Sequence, residues 1–422
     1  MSRQSTFRYF AFGVLCSCTF PIWGADVLEE SEFSTSFRYR YHFVEDDIRG
    51  DAKASTALLR ASVIVPQNEW LSWEAAIAHV YAFNEGRYNS VTVTTDTSPI
   101  PDPPGTELNK LLLTIDSGAG WKATIGRQPL SFDNERHVGS IDFWQKNQSF
   151  DALRVSYNDL LKIRFDYVYV ESVQRIFGSD ADHILSQQDI RYAMNPIRPH
   201  GELGVHQHNS HLVNFRYKAN QTTDISAYLI RLDNQSWNVF SSLTVGARLE
   251  TSFKPENYKY RLVLEAASQS DTAENRLVYN AFYTFIEGEI QFRSHRFSLS
   301  NEYLGQDNGV PFATSLGTNH KFQGWADVFT DYLANSGMVN SYFTYQGRQG
   351  KLRWRSVFHH FYDYEQEHTI GNELDLEIAY RFTRKWEAKV VFAKYFADKG
   401  VLQNPASEDD LTAIFASIAY NL

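Results

Sequence analysis

The sequence predicts an all-β chain: a transmembrane antiparallel β-barrel of about 18 strands, with short periplasmic turns and long extracellular loops. Three observations predict it. Past residue 25, segments of about ten residues alternate apolar and polar side chains, the period of a strand with two unlike faces. Aromatic residues make up 15% of the chain and crowd the segment ends, at Trp70, Trp73, Trp121, Tyr157, Trp354 and Trp386, as girdles at the membrane interfaces require. The connections alternate between tight and long. A soluble β-sandwich also alternates along its strands, but nothing in it calls for aromatic girdles or for this rhythm of connections.

The first 25 residues form a separate element. Arg3 and Arg8 precede an apolar run from Tyr9 to Phe20, followed by Pro21 and Gly24-Ala25. A basic start, a short apolar core and a small-residue exit describe an export signal, and the run is too short to cross a bilayer as a helix. The expected division is a signal peptide at 1–25 and the barrel at 26–422. Cys16 and Cys18 are the only cysteines, so the mature chain has no thiol, disulfide or cysteine-bound metal. Reading Leu15-Cys16-Ser17-Cys18 as a lipid-attachment site is the alternative, and Cys at its second position speaks against it.

Strands are expected near 33–44, 54–65, 69–83, 107–116, 120–128, 150–157, 161–174, 209–218, 223–232, 237–251, 257–268, 276–290, 295–305, 337–346, 350–363, 369–381, 384–397 and 410–422. The segment Leu374 to Phe382 shows the pattern well, with Leu374, Leu376, Ile378, Tyr380 and Phe382 on one face. Every second connection is tight, such as Ser117-Gly118-Ala119-Gly120 and Thr383-Arg384. The longest others are 84–106, 129–149, 175–208 and 306–336. Both termini then lie on the periplasmic side. The last strand ends Ile414, Ala416, Ile418, Tyr420, Leu422 at alternate positions, which resembles the C-terminal assembly signal of outer-membrane barrels, with Leu in place of the usual aromatic.

Composition narrows the function. The net charge is −10, which argues against nucleic acid, and a mean hydropathy of −0.40 excludes a bundle of transmembrane helices. With apolar residues facing lipid, the opposite phase faces the bore. That phase collects Arg38, Arg40, Arg60, Lys122, Arg154, Lys162, Arg164, Arg216, Arg248, Lys259, Arg261, Arg296, Lys351, Arg353, Arg355, Arg381 and Lys389. Its acids are Glu74, Asp166, Glu250, Glu265, Glu302, Glu373, Asp375, Glu377 and Glu387. The tally is 17 against 9. A basic bore attracts anions, and guanidinium groups offer carboxylates a two-pronged contact.

Two loops are expected to narrow the bore. The first holds Phe132-Asp133-Asn134-Glu135-Arg136 and Phe143-Trp144-Gln145-Lys146-Asn147-Gln148, too long and too varied for an idle connection. The second holds His320-Lys321-Phe322-Gln323-Gly324-Trp325-Ala326-Asp327.

These stretches resemble signatures of the alginate export family of outer-membrane β-barrels. The matching residues are Gly126-Arg127-Gln128, Asp133-Asn134 with Arg136, Trp144 with Asn147, Phe150-Asp151-Ala152, and His320 with Phe322 and Gly324-Trp325-Ala326-Asp327. Lys146 departs from the pattern. The resemblance implies a passive conduit for an anionic polysaccharide or its fragments. The expected substrate-binding residues are Arg38, Arg40, Arg60, Arg127, Asp133, Arg136, Lys146, Arg154, Arg164, Arg216, Arg248, Arg261, Lys321, Arg353 and Arg355.

The sequence thus points to a monomeric channel of the bacterial outer membrane for anionic oligo- or polysaccharides, with outer-membrane lipid around it and no cofactor. Two rivals are a barrel enzyme acting on lipid or saccharide and an adhesin-like barrel. His206-Gln207-His208 and His359-His360 suggest metal ligands at first sight, but paired histidines in aromatic surroundings more often form ordinary hydrogen bonds. The nucleophile elbow, the phosphate loop and the zinc-protease helix are absent from the sequence.

Overall fold

The computed structural model describes residues 30–159, 162–182, 203–329, 337–400 and 408–422. The expected signal at 1–25 lies outside these residues, as do parts of loops 175–208 and 306–336. Alternating sequence becomes strand wherever expected. The strands are β1 (Glu32–Asp46), β2 (Ala52–Asn68), β3 (Leu71–Ala82), β4 (Gly105–Asp116), β5 (Trp121–Gln128), β6 (Ser149–Asn158), β7 (Ile163–Gln174), β8 (Val205–Lys218) and β9 (Thr223–Leu232). The remainder are β10 (Ser242–Phe253), β11 (Tyr258–Asp271), β12 (Asn280–Phe292), β13 (His295–Leu304), β14 (Met338–Gln349), β15 (Leu352–Asp363), β16 (Thr369–Arg381), β17 (Trp386–Ala397) and β18 (Leu411–Asn421).

These form one 18-stranded antiparallel sheet. It closes because β1 pairs with β2 on one side, Ser36 opposite Arg60, and with β18 on the other, Ser36 opposite Asn421. Closure leaves no free sheet edge, which an unsolvated bilayer demands. Two details differ from expectation. Residues 237–241, expected to open β10, instead make a 3-10 turn at Asn238–Phe240, where Trp237 packs edge-on against Phe240. Within the second long loop, Gln306–Asp307 and Val310–Pro311 form a small hairpin.

The outside is apolar along alternate residues: Leu59, Ile77, Leu111, Ile125, Leu299 and Ile378 are each between 50% and 67% exposed. Trp121 meets Tyr157, and Trp386 meets Tyr420, each pair 4.8 Å apart at the short-turn end. The buried apolar cluster sits inside the barrel, where Trp144, Phe312, Leu316 and Phe329 from the loops join Phe150, Tyr283 and Phe361 from the wall. The upper bore is therefore partly filled with protein.

Candidate functional site

The wall supplies charges at every second residue, and the loops decide which of them stay open. Loop 129–149 and the second long loop both fold inward and meet. Val138 bridges Leu316, and the Gly139 amide donates to the Leu316 carbonyl at 2.9 Å. Gln148 Nε2 donates to the carbonyls of Gly139 and Leu316, at 2.9 and 3.0 Å. His320 stacks on Phe143, with ring centres 3.5 Å apart. The two loops thus meet each other inside the barrel.

Arg136 is the anchor of this assembly. It has no exposed surface, and it grips Glu302 of β13 through Nε at 2.6 Å and Nη2 at 3.0 Å. Its Nη1 donates to Thr314 Oγ1 and Asn319 Oδ1, both at 3.0 Å, so one guanidinium ties loop to loop to wall. Gly324, at φ +89°, leaves room for the Glu373 carboxylate, whose Oε1 accepts the Ala326 amide at 2.7 Å. The first long loop joins in through buried Asp102, which accepts from Arg40 and from the Gln145 amide. Tyr88 in that loop donates to the Asp102 carbonyl at 3.1 Å. Burial pushes its hydroxyl far above the ordinary range, so it stays a neutral donor.

On β1 and β2, three guanidinium groups face the tip of loop 129–149. Arg38 Nε donates to Gln145 Oε1 at 2.7 Å, and its Nη2 donates to the Trp144 carbonyl. Arg40 reaches the Phe143 carbonyl at 2.8 Å as well as Asp102. Arg60 Nη2 donates to Asn147 Oδ1 at 3.0 Å. The acceptors of Arg38 and Arg60 here are carbonyl and amide oxygens, not carboxylates. Arg355 lies over the Trp325 ring at 5.1 Å. Arg164 is exposed on the inward phase of β7, opposite Arg216.

Most of the other expected site residues are held by carboxylates. Arg154 Nε bonds Asp166 at 2.7 Å, Arg216 bonds Asp133 at 2.6 Å, and Arg248 bonds Glu265 at 2.6 Å. Arg261 binds Glu250 at 2.8 Å and Glu287 at 2.6 Å, and Arg353 binds Glu387 at 2.7 Å. Asp133 also accepts from Asn214 and Ser226. Lys321 donates to the Asn134 carbonyl and lies 3.3 Å from Glu135.

Three placements correct the sequence reading. Arg127 stands on the outside of the barrel: it follows Ile125 on the outward phase and sits opposite Leu111 and Asp151. Asp151 takes both its Nε and Nη2 at 2.8 Å and also accepts from Ser172 and Gln174. Arg136 and Lys146 do lie inside, but both are sealed off. Lys146 is 1% exposed and bonded to the Pro104 carbonyl and Glu107.

The inner wall is also nearer charge balance than the tally of alternate positions suggests. Glu287 and Glu289 of β12 face inward, against Arg261 and Arg296. Asp116 faces inward against Lys122. The β12 acids escaped notice because Tyr283 and Phe285, on the same inward phase, are as apolar as Phe282 and Ile286 outside; they pack on loop residues such as Phe312. The alternation forward from exposed Ile286 places both acids on the inner face.

The paired histidines have local partners. His206 meets Asn234, His208 meets Ser210, His359 meets Asn340 and His360 meets Asn372. Among the described residues, no three His, Cys, Asp or Glu are arranged to hold a metal ion.

No family model and no curated protein matches the sequence, so the resemblance to the alginate export family finds no support there. Solved structures do match. OpdK of Pseudomonas aeruginosa, crystallised with vanillate, superposes with a TM-score of 0.68 at 13% identity, covering 93% of this chain and 99% of that one. OccAB2 of Acinetobacter baumannii gives 0.68 at 12%, covering 93% and 98%. OccD3 of Pseudomonas aeruginosa gives 0.67 at 11%, covering 93% and 92%. At such identity the likeness is one of fold. An 18-stranded closed barrel with an apolar exterior is the architecture of bacterial outer-membrane porins.

Proposed function

We propose that this chain is an outer-membrane channel that passes small anionic solutes through a bore narrowed by two inward-folded loops. The observation that carries the reading is the pair Arg38 and Arg60 beside the tip of loop 129–149; Arg40 next to them is 3% exposed and taken up by Asp102. Arg38 and Arg60 donate to neutral oxygens, not to carboxylates. Their charge remains available to a passing anion, and a confined bore screens it poorly. Carboxylates suit the guanidinium fork, so the solute class is carboxylate-bearing: acidic sugars such as uronates, as the motif resemblance implies, or aromatic acids such as the vanillate bound to the fold relative. Polymer-length alginate is the less favoured cargo, because the loops and their apolar core fill much of the upper bore.

Planar-bilayer recording tests the proposal. A gradient of potassium chloride should give a reversal potential of anion sign, and glucuronate or vanillate should carry or block current where glucose does neither. Cation preference, or equal response to all three solutes, would sink it.

A further inference from the structure

The short-turn end of the barrel carries its charge unevenly. Three neighbouring turns, joining β12 to β13, β14 to β15 and β16 to β17, present Arg293, Arg348, Lys351, Arg384 and Lys385, all exposed. Residues 293–296, 347–351 and 381–386 contain no Asp or Glu. The turns of the remaining arc, at 67–71, 116–121, 158–162, 218–223 and 253–258, hold Lys162, Lys218 and Lys254 against Glu69, Asp116, Asp159 and Glu256. One third of the rim is therefore strongly basic in a chain of net charge −10.

These five cations are also uncompensated. Arg293 lies over the Phe292 ring at 5.0 Å, Arg348 Nε donates to the Gly350 carbonyl at 3.1 Å, and Lys351 Nζ to the Phe382 carbonyl at 2.7 Å. None of the five makes an ion pair among the described residues, whereas nearby Arg353 and Arg381 share Glu387. Lys351 continues the inward phase of Arg353 and Arg355, and Arg348 sits opposite Arg353, so both turn toward the mouth and away from lipid; Arg293 packs over the outward ring of Phe292. Their spread speaks against a small solute. They occupy separate turns with no enclosing cleft, along an arc of six strands, about 24 Å at roughly 4.8 Å per strand. That span suits one side of a protein–protein contact.

We propose that this arc is a docking surface for an acidic face of a soluble periplasmic protein. The proposal rests on the short turns facing the periplasm, as the sequence leads one to expect, and not on conduction. Charge of this kind steers encounter and selects an acidic partner.

The test uses the full chain in detergent and fluorescence anisotropy of labelled poly-L-glutamate at low salt. Substituting R293Q, R348Q, K351Q, R384Q and K385Q together should weaken binding about tenfold, on the modest scale of exposed charge pairs summed over five sites. K162Q, K218Q and K254Q together should change it less than about twofold. Retained resistance to unfolding in cold SDS shows that each variant is a folded barrel. Equal weakening by both variants, or unchanged binding in the first, would overturn the proposal. So would tighter binding of polygalacturonate than of poly-L-glutamate, which would assign the arc to cargo. Flotation with phosphatidylglycerol vesicles that falls in the first variant, while poly-L-glutamate binding persists, would assign it to lipid and overturn the proposal likewise. The assay needs no current, so a chain that fails to conduct anions would leave this result intact.

Discussion

Two stretches of the inner wall carry similar numbers of guanidinium groups and use them differently. On β10 to β13, Arg248, Arg261 and Arg296 meet Glu250, Glu265, Glu287 and Glu289, and Glu302 is taken by Arg136. On β1 and β2, Arg38 and Arg60 meet the side-chain amide oxygens of Gln145 and Asn147 and the Trp144 carbonyl, while Arg40 pairs with Asp102. The first arrangement holds loops and wall together and cancels its own field. The second leaves the charge of Arg38 and Arg60 facing the bore. The field inside a barrel thus depends on which bases lack a carboxylate, more than on how many bases there are. A buried base paired to a carboxylate is a structural element; a base paired to carbonyls stays available to a solute.

The saturated wall offers the largest effect. Arg136→Ala would leave Glu302 buried without a counter-charge, with the Tyr283 hydroxyl still donating to it, and would cut the guanidinium tie between the two loops and the wall. Breaking such a pair costs about 3–5 kcal/mol, so the variant should unfold at lower temperature and expose loop 129–149 to trypsin. Unchanged melting and unchanged proteolysis would mean the loops hold without this anchor.

A second pair of variants sets the two walls against each other. Arg38→Met with Arg60→Met should reduce the anion-to-cation permeability ratio roughly fivefold, the scale of about 1 kcal/mol for one charge at 4 Å in water. Arg261→Met with Glu287→Gln removes one charge of each sign from the opposite stretch and should leave the ratio nearly unchanged. Equal shifts of reversal potential in the two double variants would erase the distinction between the walls.

The smallest effect is expected outside the bore. Arg127→Gln removes a partner of Asp151 on the lipid-facing side, where Ser172 and Gln174 still donate. Stability should fall by less than for Arg136→Ala, because Asp151 keeps two donors, and selectivity should not move. A changed reversal potential would return Arg127 to the conduction path.

The comparison also separates what could be read in advance from what could not. Arg38, Arg40 and Arg60 were legible as bore residues because Phe37, Tyr39 and Tyr41 alternate with the first two and Leu59 precedes the third. Arg127 was misplaced, although Ile125 two positions earlier already marked its phase as outward. The loop motif outweighed a local rule that was correct. Glu287 and Glu289 were hidden for the opposite reason, since an inward phase that packs on a loop core is apolar too.

The sequence alone determined the eighteen strands, their order, their ends to within a few residues and the phase of most side chains, because each follows from contacts with lipid or water at the residue itself and its neighbours two away. Only the tertiary structure decided which charges are spent on each other. Arg38 meets Gln145 across 107 residues, and Arg136 meets Glu302 across 166. Such pairings depend on where the loops travel once the cylinder has closed. No alternation within a strand encodes that path.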